Sequence, residues 1–179
     1  EEISSSSKKW LKKLENHFNV ESKAFSAIDL ESSVMDFQII QGWEAKNSIV
    51  KHVKKHNLKL RKNIRERINF ADGINEFEFK NANKNRIDFK YRIDELIVDD
   101  CLAVFPTTPM PALNKHKINQ ELSIFRKKIH NFTCIAGLTG RPQISLPLEQ
   151  NHPQPFGISI LGNFNKDEQL ISLTEEIYL

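Results

Sequence analysis

An α/β fold with a small mixed sheet is predicted for this chain of 179 residues, and three observations predict it. Apolar residues recur at helical spacing through residues 30–98. The run Leu102-Ala103-Val104-Phe105 is apolar without alternation, the pattern of a strand covered on both faces. Two short apolar segments, 143–148 and 156–161, are joined by too few residues for a crossover helix, so they should pair antiparallel as neighbours. Together these give one α/β domain over residues 1–179 with about four strands and about six helices flanking the sheet. Residues 1–98 should be mainly helical, and residues 99–179 should hold the strand-rich core.

The elements follow in order. Residues 5–17 read as an amphipathic helix, with Trp10, Leu11 and Leu14 on one side. Residues 18–25, FNVESKAF, alternate like a short strand. Residues 30–56 form a long helical segment whose face carries Leu30, Val34, Phe37 and Ile40 or Gln41. Helix continues over 57–69, anchored by Leu58, Ile64 and Ile68, until Asp72-Gly73 breaks it. A third long helix spans 75–98 and turns Phe89, Ile93, Leu96 and Ile97 inward. After the strand at 102–105, Pro106-Thr107-Thr108-Pro109 forms a turn and 111–120 a loop. The helix at 121–138 becomes apolar and small-residued toward its end. Gly140 is placed for a left-handed C-cap and Pro142 forbids continuation. The two strands follow, then Asn165 and Glu168 in capping-box spacing, and a last helix burying Leu170, Leu173 and Ile177.

Composition bounds the function. The net charge is +3 and no apolar run approaches the roughly 20 residues of a membrane helix. The N-terminus, EEISSSSKKW, has no apolar signal-peptide core, so a cytoplasmic location is the expectation. The chain starts at Glu1 rather than Met, as a processed or trimmed chain would. Cys101 and Cys134 are expected to be reduced and buried. From Lys51 to Arg67 the sequence is rich in bases with a single acid. No aromatic residues interleave those bases to stack on nucleotides, which argues for a solvated helix face and against nucleic acid.

Several motifs in fixed order carry a more specific signal. They are DFQIIQGWEA at 36–45, DDCLAVFPTTP at 99–109, CIAGLTGRPQISLPL at 134–148 and FGISILG at 156–162. Their order and spacing resemble the C-terminal half of the amidase signature family, over roughly residues 30–179. The third motif is most similar to those of bacterial amidases and plant indole-acetamide hydrolases. The resemblance implies a large mixed sheet flanked by helices and a hydrolysis of carboxamides. In that chemistry a serine, activated through a second serine and a lysine, attacks the carbonyl while backbone N–H groups hold the oxyanion. None of those three residues maps onto this chain. Ser4-Ser5-Ser6-Ser7-Lys8 has the residue types but no flanking glycines to expose the amides of a tight turn, and reads as a helix start.

What remains is a pocket wall. Thr107 and Thr108 lie just past the end of the first core strand, where open α/β sheets place their crevice, and Gln143 starts the next strand. The two threonines could bind an amide through their hydroxyls or simply cap a turn between prolines. Gly137 and Gly140, followed by Pro142, are expected to let helix and strand pack closely. His130 and Cys134 share a helix face, but the apolar surroundings of Cys134 favour a buried structural thiol over a nucleophile. His52 and His56 have the spacing of a metal pair, yet Lys51, Lys54 and Lys55 around them would repel a cation, so no metal and no cofactor is expected. Asp99 and Asp100 are adjacent, diverge, and should end the preceding helix.

The expectation is therefore the C-terminal portion of an amide hydrolase, contributing scaffold and pocket wall, whose isolated chain does not turn over. Its partners would be a small-molecule amide and either a second copy or a missing N-terminal half, because a cut sheet exposes an edge. The alternative is a non-catalytic binding module that docks an acidic partner through Lys51 to Arg67.

Overall fold

A computed structural model describes residues 12, 14–16, 18–21, 30–109, 118–147 and 156–178. The predicted first helix lies mostly outside the described residues, although residues 12, 14 and 15 are helical and Leu14 is buried. The strand expected at 18–25 is not formed over residues 18–21, and its remainder lies outside the described residues.

The first long segment is helical as its spacing requires. Helix α1 (Leu30–Ala45) passes through a π-helical stretch, Lys46–Val50, into the short α2 (Lys51–Lys55). The loosening has a local cause. Asn47 Nδ2 donates to the Trp43 carbonyl at 3.1 Å and Ser48 Oγ to the Glu44 carbonyl at 2.9 Å, so side chains compete for the helix's own acceptors. Continuous helix was expected after residue 56. Instead Asn57 takes φ 47, a left-handed backbone that its short polar side chain tolerates, and helix resumes only at α3 (Lys62–Gly73). Leu58 and Ile64, expected as anchors, are exposed. α3 ends at Gly73, where Asp72-Gly73 was expected to break it. Asn75 and Glu78 form a reciprocal capping box, at 2.8 and 2.9 Å, that opens α4 (Glu76–Leu96). Packing of α3 onto α1 depends on Gly42, where a Cβ would collide with Ile74.

Strand β1 (Ala103–Pro106) follows, then α5 (Ile118–Thr139), β2 (Gln143–Pro147), β3 (Gly157–Leu161) and α6 (Asp167–Tyr178). Residues 118–120, expected as loop, already belong to α5. Gly140 is left-handed at φ 73 and its N–H donates to the Ala136 carbonyl at 2.8 Å, which makes it the helix stop the sequence placed there. Asn165 is also left-handed, at φ 59, so it sits in the turn before α6 instead of capping it.

The described strands form one antiparallel sheet in the order β1-β3-β2, three strands rather than four. β2 and β3 pair as expected, but β3 is central and β1 is an edge strand; its apolar residues pack on both faces, Phe105 in the main core and Val104 in a smaller cluster, before the exposed Pro106. Thr107 N–H donates to the Gly157 carbonyl at 3.0 Å, and Gly162 N–H to the Pro142 carbonyl at 2.9 Å. Alternation of antiparallel bonding from these two pairs puts residues 103, 105 and 107 of the β1 segment, and 144 and 146 of β2, in bonded register with β3. Pro106 and Pro147 therefore stand where the backbone N–H would point away from the sheet, so neither costs a ladder bond.

The sheet's two faces differ. Phe105 and Leu161 join Val34, Ile40, Phe89, Ile93, Cys134, Ile135 and Leu138 in the main core against α1, α4 and α5. Burial of each such side chain is worth about 1.5–3 kcal/mol. On the other face Val104, Leu146, Phe156 and Ile158 form a smaller apolar cluster.

Candidate functional site

Polar residues gather on the helix-facing side of the sheet. Register places Phe105, Ser159 and Ser145 in one row, and Thr107, Gly157 and Pro147 in the next. Side chains of a row share a face because strand side chains alternate with period two. Two outer strands lie too far apart for their side chains to touch across an ordinary middle residue. Here the middle residue is Gly157, and a Cβ on it would stand 3.0 Å from Ser145 Oγ and 3.1 Å from Thr107 Oγ1. Its absence lets the two hydroxyls meet at 2.7 Å. Thr107 Oγ1 also lies 3.0 Å from Ser159 Oγ, and Gln143 Nε2 donates to Ser159 Oγ at 2.8 Å. Ser159 is fully buried, Thr107 and Gln143 are half-buried, and Ser145 is exposed. Gln143 Oε1 is buried without a hydrogen-bond partner among the described residues.

Two of the three residues picked from sequence, Thr107 and Gln143, thus converge on one hydroxyl. Thr108 lies beyond this chain of contacts in the turn after β1. The sequence reasoning missed Ser145 and Ser159. Their signal was there: each is the lone polar residue in the middle of an apolar strand, in ISL and in ISI. What could not be read was that the two strands align them directly opposite one another. Chemically the cluster offers hydroxyl and carboxamide groups that bind an amide or carboxyl oxygen. None of the four is a base able to take a proton from serine, so the cluster binds rather than attacks.

The glycines act differently from expectation. Gly137 serves helix–helix packing, not helix–strand packing, since a Cβ there would lie 2.9 Å from Phe37 of α1. The residue between Gly140 and Pro142, Arg141, is the unrecognised keystone. Its guanidinium is buried and all five N–H donors are used. Nε and Nη2 reach Asp94 Oδ1 at 3.2 and 2.8 Å, Nη2 the Ile97 carbonyl at 3.1 Å, and Nη1 the Gly162 carbonyl and Asn163 Oδ1 at 3.2 and 2.6 Å. One side chain thereby ties the end of α4 to the entry of β2 and the exit of β3. Burial pushes the Asp94 carboxyl up, but hydrogen bonds and charge from Lys90 and Arg141 outweigh it and hold it below its ordinary value.

The discounted pairs fall where their surroundings put them. Cys134 has no exposed surface, and burial pushes its thiol up to about 11, far from a reactive thiolate. His130 pairs with Gln38 instead, at 3.4 Å, and burial, then Arg67 and Arg126, lower its pKa. Cys101, expected to be buried, is exposed and free, because β1 begins two residues later at the sheet's edge. The His52 and His56 rings lie 4.5 Å apart on an exposed helix among lysines. Among the described residues no cluster of three His, Cys, Asp or Glu could hold a metal ion, and no helix is long and apolar enough to cross a membrane. The segment from Lys51 to Arg67 is solvated almost throughout, and Lys54 pairs with Asp72 at 2.6 Å.

No protein-family model matches the chain. It is 31% identical over 117 residues to Amidase 1 of Oryza sativa subsp. japonica, covering 64% of this chain and 27% of that one. It is 30% identical over 93 residues to a glutamyl-tRNA(Gln) amidotransferase subunit from Staphylococcus carnosus, covering 51% and 19%. A solved amidase superposes with a TM-score of 0.78 at 17% identity, over 96% of this chain and 40% of that one. The chain is thus similar to proteins named amidases and shares their fold, and it spans about a quarter of the rice relative's length.

Proposed function

We propose that this chain is the C-terminal portion of a serine-type amide hydrolase, in which it supplies sheet scaffold and part of the pocket wall. The observation that carries the reading is the coverage: a solved amidase matches nearly all of this chain with less than half of its own. The hydroxyl cluster over Gly157 adds support, being polar, partly open and unable to activate a nucleophile by itself. The nucleophile and its serine–lysine partners belong to polypeptide outside these 179 residues. The substrate is a small carboxamide, which the whole protein cleaves to a carboxylate and ammonia or an amine.

Incubating the chain alone with aryl and alkyl amides should give no turnover. Turnover lost in Cys134→Ala would reject the reading in favour of thiol chemistry. A coding sequence lacking a Gly/Ser-rich segment upstream of Glu1 would reject the serine-hydrolase parent.

A further inference from the structure

We propose that Gln143, Ser159, Thr107 and Ser145 form a one-way hydrogen-bond relay whose exposed end, the Ser145 hydroxyl, grips an acceptor oxygen of the ligand. The inference rests on the amide-hydrolase reading for its ligand class, a carboxamide carbonyl.

The direction of the relay comes from its buried end. Gln143 meets Ser159 through Nε2, which can only donate, so Ser159 Oγ receives that hydrogen bond. A hydroxyl carries one proton. The Ser159 proton is then free for Thr107 Oγ1 at 3.0 Å, and the Thr107 proton for Ser145 Oγ at 2.7 Å. The Ser145 proton is left without a partner in the relay and belongs to an exposed residue. Hydrogen bonds in series polarise one another, so this last proton is a better donor than that of an isolated serine. Ser145 therefore presents a polarised donor, matched to a carbonyl oxygen. Gly157 is part of the device, because only a residue without Cβ lets Thr107 and Ser145 touch across the middle strand.

The test is a titration of the chain with N,N-dimethylbenzamide, an amide with no N–H, followed by backbone amide NMR. Wild type should show shifts at residues 107, 145 and 157. Ser145→Ala and Gly157→Ala, checked for retained spectral dispersion, should weaken binding about three- to tenfold, the size of one net hydrogen bond. Gln143→Glu separates the relay from mere packing. At pH 8 its carboxylate can only accept, which reverses every bond in the series and turns the outer lone pair of Ser145 toward the ligand. Binding should fall by the same factor. At pH 4 the protonated carboxyl donates again and binding should recover, while wild type stays level. Equal binding by Gln143→Glu and wild type at both pH values would overturn the relay. Probe shifts confined to other residues would overturn the site and leave the amide reading standing. Shifts nowhere in the chain would overturn the relay's grip on the ligand, while the amide reading rests on the separate turnover and coding-sequence tests.

Discussion

Arg141 shows how one residue can join elements that local sequence treats separately. Its charge is tolerable only because Asp94 and three carbonyl or amide oxygens saturate it. Removing the guanidinium leaves those acceptors facing a void, so Arg141→Ala should cost about 3 kcal/mol, read as a lowered urea midpoint. The pH dependence follows from Asp94. Its carboxyl is depressed in the folded chain, so the stabilisation is present above the unfolded pKa of about 4 and fades as pH falls through the lower folded value. Asp94→Asn should flatten that acid limb, checked by urea titrations at stepped pH. At Cys134, a thiol raised to about 11 leaves on the order of a thousandth as thiolate at pH 8. A thiol-reactive dye should modify Cys101 alone in the native chain, and both cysteines after denaturation.

Among the elements, α1 and α5 approach each other only because Gly137 is bare beside Phe37. Gly137→Ala sets two effects against each other. Alanine gains about 1 kcal/mol of helix propensity, but a Cβ at 2.9 Å from a ring carbon overpacks a filled core, which costs about 1–3 kcal/mol. The second effect is expected to win, since the half-buried Phe37 ring packs against the main core and must shift to admit the methyl group. A net loss of about 1 kcal/mol is expected in thermal unfolding. Most helices were legible because their apolar period is a one-dimensional property. The errors came where one side chain overrode the period. Asn57 turned left-handed and interrupted the helix expected to continue past residue 56, and Asn165 turned left-handed instead of capping the last helix.

For the whole molecule, the sheet's outer strands decide what it does in solution. Among the described residues both β1 and β2 have one side without a strand partner. Pro106 and Pro147 blunt those edges by removing outward N–H groups, while Val104 and Ser145 keep theirs. Edge pairing is thus available but short. We expect weak, concentration-dependent self-association by light scattering, reduced by Ser145→Pro, whose lost N–H points away from β3. A strict monomer at high concentration would count against an open edge.

How much was legible divides cleanly. The helix–strand order, the antiparallel pairing of the last two strands, the left-handed Gly140 and the family resemblance were all determined by residues near one another in the chain. So were two members of the polar cluster, through their place beside strand ends. The tertiary structure alone decided that β3 is central, that Ser145 and Ser159 stand opposite each other, that Gly157 lets the outer hydroxyls meet, and that Arg141 locks three elements. The hydrogen bonds among them join positions 16 to 52 residues apart. No local propensity encodes such a contact. It exists only once burial and strand register have fixed which residues share a face.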